Sequence, residues 1–279
     1  MESKFIGEMI EGDIKEEDIL FISDIEIFSP EIKKNLIKEA NGKKLIVFIG
    51  DILSGLSDIN PYYKLFQESS TVFKTFYEKK KLMKKFPKID EYELSLIFVG
   101  KTISEKLSEE YKEKVTPFKS FVKYCNKIKV PIIFFTGNHD SLFHSPYNLT
   151  YIPFLKEIYK LKGLYFPKDY EKIRLNDDLY LMGMNTPEDN PEEEYSFPQI
   201  KEILKEIQDN RFNNAEQIIF VSHLPGKEKF SKLGSEDITN LKRRYKFKYH
   251  YHGHVKDYHG EYIEKGIPTR SVHINVEEK

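Results

Sequence analysis

The sequence predicts an α/β sandwich, and three observations predict it. Short apolar runs rich in β-branched residues recur along the chain. The first two of them flank a stretch carrying the start and stop signals of a helix. From residue 246 onward the chain turns β-like, in "KFKYHYHGH", "GEYIEKG" and "SVHINVE". No stretch rich in Gly, Ser or Pro separates these parts, so the expectation is one domain over residues 1–279.

The elements follow in order. "DILFISD" (18–24) and "KKLIVFIGD" (43–51) are strands, each ending on an Asp. "SPEIKKNLIKEA" (29–40) lies between them, with Ser29 as N-cap, Pro30 at the first helical position and Gly42 just past the end. A strand–helix–strand unit of this kind pairs its strands in parallel. The charged region from about 60 to 128 reads as helices, broken near "FPKID" (86–90) and "TPF" (116–118). "KVPIIFFTG" (129–137) is a third buried strand, "TYIPFLKEIYKL" (150–161) a helix and "LYLMGM" (179–184) a strand. "TPEDNPEEEYS" (186–196) is an acidic loop, "PQIKEILKEIQ" (198–208) a helix and "AEQIIFVSH" (215–223) a strand. "LKRRYKFK" (241–248) is a basic patch whose Tyr and Phe alternate as in a strand.

Composition narrows the function classes. With 44 basic and 45 acidic residues, no global field argues for nucleic acid as a partner. One cysteine, Cys125, excludes an intrachain disulfide and a Cys-rich zinc site, and reads as a small core residue. The acidic N-terminus lacks the apolar core of a signal peptide, and no apolar run approaches membrane length. The expectation is a cytoplasmic protein with no membrane partner.

Polar side chains recur at one place, the C-terminal ends of the apolar strands. They are Asp24 and Glu26, Asp51, Asn138 and His139, then His223, with "HGH" (252–254) after the last aromatic stretch. Ligands bind beyond such ends in parallel sheets. Carboxylate, amide and imidazole together suit a hard or borderline divalent cation. A single Asp after a strand is ordinarily a turn or helix cap; a whole ordered set is harder to explain that way.

The ordered motifs "SDIE", "GDILSG", "GNHD", "VSH" and "GHVK" resemble those of the calcineurin-like metallophosphoesterase superfamily, over about residues 18 to 276. The resemblance implies a four-layer αββα sandwich of two mixed β-sheets flanked by helices, with a helical insertion at about 60–115. It implies divalent metal, one or two ions per chain: Mn²⁺ first, with Mg²⁺, Ni²⁺, Fe or Zn²⁺ as alternatives. The carboxylate of Asp51 would bridge two ions, and Asn138, His223 and His254 would complete the second. His139 matches the family's non-ligand histidine, which steadies the phosphoryl group and protonates the leaving oxygen, with Asp140 orienting its ring.

Two positions depart from the family pattern. Glu26 and Lys256 stand where histidines of the first metal belong, leaving Asp24, Asp51 and Glu26 as its candidate ligands. Ser54 is a milder departure. Either the Lys256 ammonium replaces the first ion, the favoured reading, or Lys256 turns to solvent and three carboxylates hold a hard cation. "HGH" leaves a second register open, with His252 and His254 as the ligand pair. His250 and His252 otherwise read as sheet residues, His259 and His273 as surface or sheet residues, and His144 as a loop residue.

The function expected is metal-dependent hydrolysis of a phosphoester, with a phosphodiesterase or nuclease-like activity ahead of a phosphatase. A metal-activated water would be the nucleophile, His139 the general acid and Lys256 a substrate contact. The insertion reads as a solvated helical pair, the alternative being a lid whose lysines meet phosphates. The rival class is a degenerate member that keeps the fold as a binding or scaffold module. His139 and Asp140 weigh against it, since metal binding alone requires neither.

Overall fold

The computed structural model describes residues 13–25, 28–52, 110–137, 161–185, 214–230, 232–255 and 258–272, with side chains from 116 onward in the third stretch. The region 53–109, which holds most of the expected insertion, lies outside them. So do the expected helices at 150–160 and 198–208 and the acidic loop.

Among the described residues, ten strands form two sheets. The first orders β1 (Ile19–Ile22), β2 (Leu45–Ile49), β3 (Ile132–Phe135) and β4 (Leu164–Tyr165), all parallel. The second is mixed. It runs β5 (Ile173–Asn176), β6 (Leu179–Met184), β7 (Ile218–Ser222), β8 (Tyr249–His252), β10 (Ile267–Ser271) and β9 (Gly260–Glu264). Its three central pairings are parallel and its two outer ones antiparallel.

Strand alternation builds the layers. From β2, Leu45, Val47 and Ile49 face the second sheet, where they meet Leu181, Ile219, Val221 and Tyr251. Phe21 and Tyr251 stack there with ring centroids 3.8 Å apart. Ile46 and Phe48 face the other way, onto helices α1 (Pro30–Ala40) and α2 (Glu110–Lys127) through Leu36, Phe118, Phe121 and Cys125. The outer face of the second sheet packs Met182, Met184, Ile218 and Phe220 against Ile238 and Leu241 of α3 (Glu236–Arg244). Three apolar clusters between four layers, two of helix and two of sheet, give the expected αββα sandwich.

Local signals account for the helix ends. Ser29 Oγ accepts the Ile32 N–H at 3.1 Å, Pro30 opens α1, and Gly42 turns at φ +83. Three sequence expectations shift. Helix α2 runs through Pro117 instead of breaking at 116–118, because Phe118, Phe121 and Val122 just beyond it are fully buried against the sheet. Residues 241–244 end helix α3 and are not strand-like. Ser235 caps that helix, acids fill its first turn and Lys242, Arg243 and Arg244 its last. The closing strand begins earlier than expected, at Ile267, and most of "SVHINVE" lies outside the described residues.

Candidate metal centre

Strand ends from both sheets meet at one point. β1 leads into Ser23 and Asp24, β2 into Gly50 and Asp51, β3 into Gly137, β7 into His223 and β8 into Gly253 and His254. Each segment must turn at once. Asp24, Asp51 and His254 all take positive φ (56, 53 and 68), a left-handed conformation uncommon outside glycine. Three such residues at one place mark a site where the surroundings hold strained backbone.

Those surroundings are backbone hydrogen bonds. Asp24 N–H donates to the Gly50 carbonyl at 3.1 Å, and Gly253 N–H donates to the His223 carbonyl at 3.1 Å. Ser23 Oγ donates to the carbonyls of Ile49 (2.8 Å) and Gly50 (3.3 Å). A side chain at Gly137 would collide with the Asp51 carboxylate, so this position must be glycine for Asp51 to sit where it does.

Asp51, His223 and His254 each offer a ligand atom within 4.8 Å of the others'. His223 Nε2 lies 2.9 Å from Asp51 Oδ2, and His254 Nδ1 lies 3.3 Å from His223 Nε2. The other ring nitrogen of His223, Nδ1, donates to the Ile49 carbonyl at 3.0 Å. That bond fixes the ring and turns Nε2 toward Asp51 and His254, so that Nε2 would be the ligand atom once a cation displaces its proton. Burial opposes charge on the His223 ring, but Asp51, with help from Asp24 and the Ile49 carbonyl, overrides it and pushes the pKa up to about 10. A carboxylate and two imidazoles converging in this way fit a divalent metal cation.

Asp24 stands beside these three. Both of its carboxylate oxygens accept the His254 N–H, at 2.9 and 3.1 Å. The remaining candidates, Glu26, Asn138, His139, Asp140 and Lys256, lie outside the described residues, as do Ser54, His144 and His273. The alternative register is not the one built. His252 Nδ1 engages the Gly253 carbonyl (2.8 Å), and its Nε2 engages the Tyr262 hydroxyl (2.9 Å), so His254 alone of the pair joins the cluster. His259 is exposed and Cys125 is buried, its thiol pushed up to about 12 by that burial.

A cleft of about 890 Å³ lined by Glu16, Arg174, Asp177 and Tyr249 lies at the other ends of β6 and β8 and holds none of the candidate ligands. Sequence reasoning missed Ser23 and Gly50 as parts of the site. Their signal was position, one residue before each strand-end Asp. Among the described residues no helix is long and apolar enough to cross a membrane.

A search of curated proteins found no match. The family model of calcineurin-like phosphoesterases matches residues 18–258, a span containing Asp24, Asp51, His223 and His254. With that match over most of its length, the chain belongs to the calcineurin-like phosphoesterase family.

Proposed function

We propose that this protein hydrolyses phosphoesters, phosphodiesters ahead of monoesters, at a centre with one tightly held divalent cation. The observation that carries the reading is the convergence of Asp51, His223 and His254 within 4.8 Å at strand ends of two sheets. Family membership supplies the reaction class, metal-dependent phosphoester hydrolysis.

Asp51, His223 and His254 would hold the cation, with Asn138 as a further ligand. When bound, such a cation polarises a phosphoryl oxygen and lowers the pKa of water at the site. His139 would donate a proton to the departing oxygen, and Asp140 would keep its ring in the donating tautomer. Lys256 would take the place of a second ion, its ammonium neutralising Asp24 and Glu26 and adding positive charge for the transition state.

The test is hydrolysis of a chromogenic phosphodiester and a monoester with Mn²⁺, Mg²⁺, Ni²⁺ and Zn²⁺, with and without chelator. Turnover with the diester that chelator abolishes supports the reading. Silence under every metal points instead to a binding or scaffold module. His139→Ala should lower kcat by about 10²–10⁴, the usual worth of a positioned general acid, with metal content unchanged. Metal analysis of the purified chain should return one tightly held ion, and two would overturn the role given to Lys256.

A further inference from the structure

The face of β8 turned toward α3 carries two buried histidines, His250 and His252, both fully inaccessible. Apolar residues would be the ordinary choice there, as on neighbouring β7 with Ile218 and Phe220. Each histidine instead makes hydrogen bonds that lead to the turn holding a metal-centre histidine.

His250 Nε2 lies 2.8 Å from Ser222 Oγ, and Ser222 Oγ donates to the Leu224 carbonyl at 2.7 Å. A hydroxyl has one proton, and the carbonyl needs it, so Nε2 of His250 must carry the proton in its own bond. Nδ1 then holds the lone pair, and it has no hydrogen-bond partner among the described residues. Burial, with the Lys242 ammonium as the next cause, pushes the ring's pKa well below the usual value and keeps it neutral. The chain His250–Ser222–Leu224 spans the residues on either side of His223.

His252 uses the opposite nitrogen. Its Nδ1 donates to the Gly253 carbonyl at 2.8 Å, and its Nε2 faces the Tyr262 hydroxyl at 2.9 Å. The Gly253 carbonyl also accepts the Val255 N–H at 2.9 Å, closing a three-residue turn about His254 at φ +68. A γ-turn of this hand is rare and strained. A second donor on the carbonyl that closes it is a direct means of holding it.

We propose that His250 and His252 are positioning residues for the metal centre, His250 fixing the turn of His223 through Ser222 and His252 fixing the turn of His254. The inference rests on the metal-centre reading above. It assigns to two non-ligand histidines opposite tautomers, Nε2–H at 250 and Nδ1–H at 252.

Side-chain amides separate the two roles, because the Gln nitrogen overlays Nε2 and the Asn nitrogen overlays Nδ1. Mn²⁺ affinity of the full chain is measured by competition with a fluorescent chelator, for the wild type and for Gln and Asn at each position. His250→Gln and His252→Asn should stay within about threefold of wild type. His250→Asn and His252→Gln should lose about tenfold or more, in the range for partners that orient metal ligands. Nitrogen-15 spectra of the metal-free wild type, which need no variant to fold, should show the two opposite tautomers. Equal effects of both amides at both positions, or one shared tautomer, would overturn the proposal. A wild type that binds no Mn²⁺, Zn²⁺ or Ni²⁺ would instead overturn the metal centre itself, and the braces with it.

Discussion

At the residue scale the centre depends on what is missing from a side chain as much as on what is present. Gly137 leaves the space that the Asp51 carboxylate occupies. A methyl there would also meet the backbone nitrogen of Asp51, so backbone and carboxylate must shift together. It must push Asp51 away from His223, its partner at 2.9 Å. Gly137→Ala is therefore expected to fold with a lowered thermal midpoint. Its metal affinity should fall by at least about tenfold, the lower bound for disturbing a ligand's orientation. Chelator competition and a melt of the same sample check it: a large drop in the midpoint with affinity intact would contradict the assignment. The candidate ligands Asp51, His223 and His254 could be picked out in the sequence because each follows the C-terminal end of an apolar or aromatic run. The strain at Asp24, Asp51 and His254 was not, since positive φ leaves no mark on a residue that is kept for its ligand atom.

At the scale of elements, α3 shows what propensity and pattern can each reveal. No helix was expected there from the sequence, although Ser235, then Glu236 and Asp237, then Lys242, Arg243 and Arg244 carry the cap and charge order of one. Alternation of Tyr and Phe just beyond drew the strand reading past the true end of the helix. No pattern announces that Lys242 points inward, to Glu264 Oε2 at 2.5 Å and Thr269 Oγ1 at 2.9 Å. β4 has two residues and β5 four, too short for periodicity to register. The Lys242–Glu264 pair ties α3 to β9, and Glu264 also accepts the Glu228 N–H at 3.1 Å in the loop that follows His223. Lys242→Met leaves a buried carboxylate without its cation and should cost about 3–5 kcal/mol. Joint replacement with Glu264→Leu should recover much of that loss, as read by urea denaturation. Burial, only partly offset by Glu264, lowers the Lys242 pKa to about 8, below the roughly 10.4 of an unfolded lysine. Between those values the unfolded chain holds a proton that the folded chain has released, so stability rises with pH across that window. The wild type should gain stability from pH 8 to 10 relative to Lys242→Met; a flat difference would show that the pair titrates elsewhere.

At the scale of the whole molecule, three apolar layers were foreseeable from the fold class, whereas the partner of each strand was not. Runs such as Leu45–Ile49 and Ile218–Ser222 are buried on both faces, so their sequence does not say which face meets the other sheet. The structure resolves it through alternation, and places Asp51 at the end of one sheet and His223 and His254 at the end of the other. A single ion gripped by those three is then a rivet through the sandwich. Its loading should raise the melting temperature of the entire domain, by an amount that grows with the logarithm of free Mn²⁺. Hydrogen exchange should slow at the tips of β2, β7 and β8 together. Protection confined to one sheet would mean that the two leaves are not joined there. A chelator, on this view, does more than silence a catalyst: it unpins the seam along which the protein's halves were laid against each other.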